Sequence, residues 1–186
     1  MLNTFVVHVE NKPGVLTRVS SLFRRRAFNI DSLTVGRTEK PEVSRMTITV
    51  DADVDQAKRI EASLYKLVNV LLVENVTNEP IISRDLAMIK VAALHNDRTH
   101  VLQLASVFRS RVVDVATDSV TIEITGGEDK INGLLEVLSP FGILEMVRTG
   151  IVAMRRGKRS LAPSAPLEVM DEVADSGIQD DAGMSV

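Results

Sequence analysis

"ENKPGVLTRVSSLFRRRAFNI" (residues 10–30) joins two kinds of periodicity, and its reading decides the fold. Upstream, residues 3–9 are rich in Val and Phe and read as a strand. From Gly14 to Arg26, residues Val15, Leu16, Val19, Leu22 and Phe23 recur at the spacing of an amphipathic helix. The period changes from 2 to 3.6 across Asn11-Lys12-Pro13-Gly14. Asn is a favoured helix cap, Pro is tolerated in a first turn, and Gly relaxes the backbone where strand becomes helix.

Working outward, "NIDSLTVGR" (29–37) and "VSRMTITVD" (43–51) read as strands joined by the turn-rich "TEKPE", a hairpin. A second amphipathic helix follows, with Ala57, Ile60, Leu64, Leu67 and Val68 on one face. "VNVLLVENV" (68–76) closes the unit as a fourth strand. Residues 3–77 therefore spell βαββαβ, the split βαβ order of ferredoxin-like folds, with both helices on one face of an antiparallel sheet.

The order repeats. "LAMIKVAAL" (86–94) is a strand, a helix is expected near 98–110, and "RVVDVAT" (111–117) and "SVTIEIT" (119–125) are strands. A helix near 128–138 and one long strand, "ILEMVRTGIVAM" (143–154), complete the second unit. The expected class is α+β, two tandem ferredoxin-like βαββαβ units at 3–77 and 86–158. "NEPIISRD" (78–85) would link them. Residues 159–186, rich in Pro, Ser, Gly and acids, are expected to form a flexible acidic C-terminal tail, with a short helix around Leu167 to Ala174.

Composition narrows the chemistry. The 186 residues are 45% apolar and 25% charged and include no cysteine, which rules out disulfides, thiolate zinc sites and cysteine nucleophiles. The N-terminus lacks a basic and then apolar leader, and no apolar run nears the ~20 residues of a membrane span, so a soluble cytoplasmic protein is expected. The net charge of −3 is uneven. Residues 161–186 hold six acids and no Lys or Arg; setting those six aside from 25 leaves 19 acids against 22 bases.

Enzyme signatures are thin: three His, no H-E-x-x-H, no G-x-S-x-G and no phosphate-binding glycine loop. His95 and His100, with Asp97 between them, read as a polar helix start better than as metal ligands. His8 reads as a sheet-face residue. "GGED" (126–129) reads as a turn followed by a helix start that favours acids. Arg24-Arg25-Arg26 fall in a last helical turn, where cations suit the dipole. With one Tyr and no Trp for stacking, neither they nor the basic knot Arg155-Arg156-Gly157-Lys158-Arg159 makes a nucleic-acid site.

Asn11 to Gly14 admits two readings. It can be simple punctuation at a helix start. The same start also offers unpaired N–H groups to a carboxylate, while the Asn11 amide oxygen can accept from an ammonium, so one loop could hold both ends of an amino acid.

"VENKPGVLTRVSSLFRRRAFNIDSLTVGRTEKPEVSRMTITV" (9–50) resembles the ACT domain of the small regulatory subunits of acetohydroxyacid synthase, also called acetolactate synthase. The resemblance continues in "LVNVLLVENV", "RDLAMIKVAA", "VVDVATDSVTIEITG" and "MVRTGIVAMRRG", covering residue 2 to about 158. "NIDSLTV" and "SRMTI" are its most specific blocks. It implies an N-terminal ACT domain, an ACT-like second unit and a homodimer formed through the ACT domain. It also implies activation of a separate catalytic subunit and its feedback inhibition by valine or another branched-chain amino acid bound at the ACT dimer interface, with no active site on this chain. By the family's motif, Asn11, Pro13, Gly14, Val15 and Leu16 would bind the effector from one protomer, and Asn29 and Ile30 from the other. The implied partner is a catalytic large subunit that makes acetolactate from two pyruvates with thiamine diphosphate, magnesium and FAD. The alternative is a stand-alone ACT-type amino-acid sensor that controls transcription or another enzyme.

Overall fold

The first strand, β1 (Leu2–Glu10), sorts its side chains by face: Phe5, Val7 and Val9 point to a helix-covered core, Val6 and His8 to the opposite side. In this computed structural model, which describes residues 1–157, α1 (Val15–Arg25), β2 (Ile30–Arg37), β3 (Val43–Asp51), α2 (Val54–Leu64) and β4 (Val70–Asn75) follow. The sheet is antiparallel in the order β2-β3-β1-β4, which leaves β2 and β4 at its edges. Val15, Val19, Leu22 and Phe23 of α1, with Ala57, Ile60 and Leu64 of α2, pack on Phe5, Val7, Met46 and Ile48.

The second unit repeats the plan with β5 (Ile81–Ala92), α3 (Arg98–Val107), β6 (Arg111–Val115), β7 (Ser119–Gly126), α4 (Glu128–Leu138) and β8 (Ile143–Arg148). Its order, β6-β7-β5-β8, matches that of the first sheet. Ile89, Val91, Ile122, Ile124, Ile131 and Leu134 fill its core.

Three expectations change. The long last strand breaks at Thr149-Gly150, where Gly150 has φ +84°, and resumes as β9 (Val152–Arg155). The proposed linker is strand from Ile81 onward, because Ile81–Arg84 pair with β9. Val68 lies beyond the end of α2 and is exposed, since the helix stops at Leu64 and Tyr65 turns to donate its hydroxyl to the Val73 carbonyl (2.8 Å). The tail expected at 159–186, its short helix, Lys158 and Arg159 lie outside the described residues.

Local signals explain the helix ends. Asp53 and Gln56 form a capping box on α2: the Gln56 N–H donates to Asp53 Oδ1 (2.8 Å) and the Asp53 N–H to Gln56 Oε1 (2.9 Å). α1 ends in a Schellman motif, with the Phe28 N–H on the Phe23 carbonyl and the Ala27 N–H on the Arg24 carbonyl (both 3.1 Å). α3 ends the same way: the Ser110 N–H reaches the Ala105 carbonyl and Arg109 takes φ +50°. Ala27 sits at φ +55°, a conformation that suits glycine. Ala27→Gly is therefore expected to raise stability by about 0.5–1 kcal/mol, measured as a higher urea midpoint.

The face of the first sheet away from its helices is covered by the β5–β9 ribbon. Val6, Val76 and Ala153 are buried there with Ile81 and Ile151 beside them. Around this small apolar centre the seam is polar. Arg45 donates to the Ala153 carbonyl, and the Thr34 hydroxyl donates to the Thr149 carbonyl (3.3 Å). Arg155 bridges Glu74 and Glu79, each at 3.5 Å. A Cβ at Gly150 would lie 3.0 Å from Ser32 Cβ, so β2 and the β8–β9 turn touch closely there.

His8 lies in this seam, buried and paired across the strands with Arg45. Burial, and after it the Arg45 charge, lowers its pKa from 6.5 to about 4, against a smaller opposing pull from Glu39. Between those values the unfolded chain binds a proton that the folded chain refuses, so stability falls as pH drops through the window. About 2 kcal/mol of His8's contribution should be lost between pH 7 and pH 5. Urea unfolding of His8→Gln at the two pH values should show a pH dependence smaller by that amount.

Candidate functional site

Gly14, at φ +83°, is the residue that turns the chain from β1 into α1. It replaces Asn11 as the helix cap, and no side chain caps α1. The first turn of α1 carries no acid; the Val15 N–H donates to the Lys12 carbonyl (3.4 Å), and the Leu16 and Thr17 N–H groups have no acceptor among the described residues. Asn11 instead ties the loop to the β2–β3 hairpin: its backbone N–H donates to the Glu42 carbonyl (2.7 Å) and its Nδ2 to the Pro41 carbonyl (2.9 Å). With Nδ2 engaged in this way, Oδ1 is the free end of the amide and an acceptor.

Asn11, Lys12, Pro13 and Gly14 are all exposed. Val15 and Leu16 part company: Val15 is 4% exposed within the core, whereas Leu16 is 44% exposed at the helix start. The Val15 side chain therefore packs the protein, and of the two only Leu16 presents apolar surface beside the loop. The reason is the helical period, since positions 15, 19 and 22 share the sheet-facing stripe.

Charges around the loop were not singled out from sequence. Arg18, one turn into α1, donates to Asn69 Oδ1 (2.6 Å), and Asn69 donates in turn to Glu10. Lys12 pairs with Glu10 at 3.2 Å. The Asn69 amide first, and then Lys12, hold the Glu10 carboxyl below its usual range. The signal available was "NKPGVLTR" itself, which places Lys12 and Arg18 on either side of Gly14.

Asn29 and Ile30 stand elsewhere. Ile30 pairs with Val50 at one end of β3, whereas Glu10, beside Asn11, pairs with Val43 at the other. The two halves are separated by the length of β3 from residue 43 to 50, about 24 Å at the rise of an antiparallel strand. Asn29 is exposed, and Ile30 is half-buried against the core. Within one chain the two groups do not meet.

The remaining candidates have structural roles. His95, Asp97 and His100 are exposed at the start of α3, and no group of three potential ligands able to hold a metal occurs among the described residues. Gly126 ends β7, Gly127 caps α4, and Glu128 and Asp129 fill its first turn. Arg24 and Arg25 occupy the last turn of α1, and Arg155 is taken up by its two acids. Among the described residues, no helix is long and apolar enough to cross a membrane.

Comparison with known proteins accounts for both units. The family model described as an AHAS small subunit-like ACT domain matches residues 5–72, and the one described as the small subunit of acetolactate synthase matches residues 84–157. This chain belongs to the acetolactate synthase small-subunit family. A probable acetolactate synthase small subunit of Archaeoglobus fulgidus is 46% identical over 86% of this chain and 99% of its own. The acetolactate synthase small subunit of Mycolicibacterium smegmatis is also 46% identical, over 86% of this chain and 94% of its own. The crystal structure of the acetolactate synthase small subunit from Thermotoga maritima superposes with a TM-score of 0.78 at 38% identity, covering 86% of this chain and 99% of that one. As a family member, the chain carries an N-terminal ACT domain followed by the family's own C-terminal domain.

Proposed function

We propose that this chain is the regulatory subunit of an acetolactate synthase. It associates as a homodimer through its ACT domain, binds valine or another branched-chain amino acid between protomers, and sets the turnover of a catalytic large subunit. The observation that carries the shared site is the separation of Asn11–Leu16 from Asn29–Ile30 along β3. No rearrangement that keeps the sheet brings the two groups together in one chain.

A second copy removes the difficulty. β2 is an edge strand, and pairing it antiparallel with β2 of another copy about a two-fold axis covers both edges. In that arrangement the Ile30 end of one β2 lies toward the Arg37 end of the other, the side on which Asn11 meets Pro41 and Glu42. Two equivalent sites result, each built from both protomers.

The roles follow from the groups available. The first-turn N–H groups of α1 and the positive end of its dipole take the effector carboxylate. Asn11 Oδ1 accepts from the ammonium, Asn29 orients the polar groups, and Leu16 and Ile30 face the branched side chain. Pro13 stiffens the loop, and Val15 contributes its backbone alone. Two extra methyl groups favour valine over alanine by about 1.6 kcal/mol, roughly 15-fold, so exclusion of leucine must be steric. Inhibition requires that valine bind the less active arrangement of the complex more tightly; a coupling of about 1–3 kcal/mol suffices.

The catalytic chemistry, with thiamine diphosphate, magnesium and FAD, is assigned to the large subunit. Calorimetry of the isolated chain, with acetolactate assays in the presence and absence of that subunit, tests the reading. One valine per protomer, no acetolactate from the chain alone and valine-sensitive stimulation of the large subunit are expected. Turnover by the chain alone, or no binding of any branched-chain amino acid, would overturn it.

A further inference from the structure

Where the two units meet, a groove of about 380 Å³ runs beside β9. Its apolar floor is Ile82, Val152 and Met154, which are 38%, 48% and 62% exposed, a large share for three neighbouring apolar side chains. Its rim is basic. Arg37 and Arg84 are exposed and form no ion pair among the described residues, and Arg45 also lines the groove, its guanidinium on the Ala153 carbonyl. An occupant would need apolar side chains interleaved with carboxylates.

The chain supplies such a segment. Residues 167–175 read "LEVMDEVAD", in which Leu167, Val169, Met170 and Val173 alternate with Glu168, Asp171, Glu172 and Asp175. No Lys or Arg follows residue 160. The family model ends at residue 157, and 86% of this chain already accounts for 99% of the Archaeoglobus relative, so this segment lies outside the residues the family model matches. Reach is sufficient: Gly157 lies two residues past β9, and the ten residues from there to Leu167 span up to about 33 Å. β9 forms one wall of the groove, so the chain needs only to double back past Arg155.

We propose that the acidic segment 167–175 of this same chain docks in the groove between the two units, its apolar side chains on Ile82, Val152 and Met154 and its carboxylates on Arg37 and Arg84. This inference does not depend on the effector site. The docked segment would lie across the outer face of β2 at Thr34 and Gly36, and so bind β2 to the second unit.

Because the chain has no cysteine, one pair can be introduced cleanly. In the full chain, Ile82→Cys with Met170→Cys is expected to form a disulfide within one chain on mild oxidation. Adding Arg37→Glu and Arg84→Glu should slow it by about tenfold, as should raised salt, because exposed charges are screened. Formation no faster than for a control pair, Val115→Cys with Met170→Cys, would overturn the proposal. So would linkage that is mainly between chains, which would make a second copy the occupant, or a rate indifferent to the two charge reversals. Hydrogen exchange without any cysteine gives an independent reading. A chain ending at Ser160 should exchange several-fold faster than the full chain at Ile82–Arg84 and Val152–Met154, and equal rates would contradict docking.

Discussion

Gly14→Asp is expected to abolish the response to valine while the chain still folds and still stimulates the catalytic subunit. A Cβ at Gly14 meets nothing within 4 Å, so the new side chain has room. The cost to the fold is the φ of +83°, about 1 kcal/mol for a residue with a side chain. The cost to the ligand is larger. The new carboxylate would stand where the effector carboxylate is proposed to meet the α1 N-terminus, and two such charges about 4 Å apart near a protein surface repel by about 4 kcal/mol, close to a thousandfold in affinity. Inhibition curves with added valine, alongside thermal melts, separate the two effects. Unchanged inhibition in the folded mutant would remove α1 from the site.

The largest loss of stability is expected at Asp85. Its carboxylate is 2% exposed and holds three groups: Arg148 Nε donates at 2.7 Å, a second Arg148 nitrogen lies at 2.6 Å, and the Thr149 hydroxyl donates at 3.2 Å. The Thr149 hydroxyl also accepts from the Leu86 N–H (3.2 Å), so this knot fixes the turn that sends the chain from β8 into β9. Asp85→Ala strands a guanidinium that is 27% exposed and should cost about 3 kcal/mol, at the low end for a broken buried pair because Arg148 can turn toward water. Urea unfolding should show the loss in the transition of the second unit. The double mutant Asp85→Ala with Arg148→Met should recover part of it, since no unpaired charge is left.

What the sequence revealed depended on distance along the chain. β3 was legible to the residue and α4 likewise, because apolar periodicity and the flanking turn residues are local. The break at Thr149-Gly150 was not. In "ILEMVRTGIVAM" the polar Arg148-Thr149 and Gly150 interrupt the apolar residues, a local signal that fits a bulge within one strand as well as a break between two; the close approach of Gly150 to Ser32, more than 100 residues away, marks the bend. The seam around His8, Arg45 and Arg155 was hidden for the same reason: each of its bonds joins residues far apart in sequence. His8 read as a sheet-face residue, but nothing local showed that a second unit buries that face.

The loop 11–14 was legible as a loop and ambiguous in its details. Asn11 fits a helix cap by type, yet the chain caps α1 with Gly14 and turns Asn11 to the hairpin. Val15 belongs to the stripe that identified the helix, and that same stripe places it in the core. Asn29 is only 18 residues from Asn11 in sequence, but β3 holds them apart. If the two groups serve one site, sequence proximity points to one chain and the topology to two.

Mixed dimers decide between those sites. Gly14→Asp and Asn29→Ala chains, carrying different affinity tags, can be co-expressed and the heterodimer isolated through both tags. If each site takes its loop from one protomer and Asn29 from the other, one site in the heterodimer carries both lesions and the other carries neither. Calorimetry should then count one valine per heterodimer at the unmodified affinity, against two for the unmodified dimer and none for Gly14→Asp alone. No binding by the heterodimer would mean that loop and Asn29 act within one chain, and would contradict the shared site.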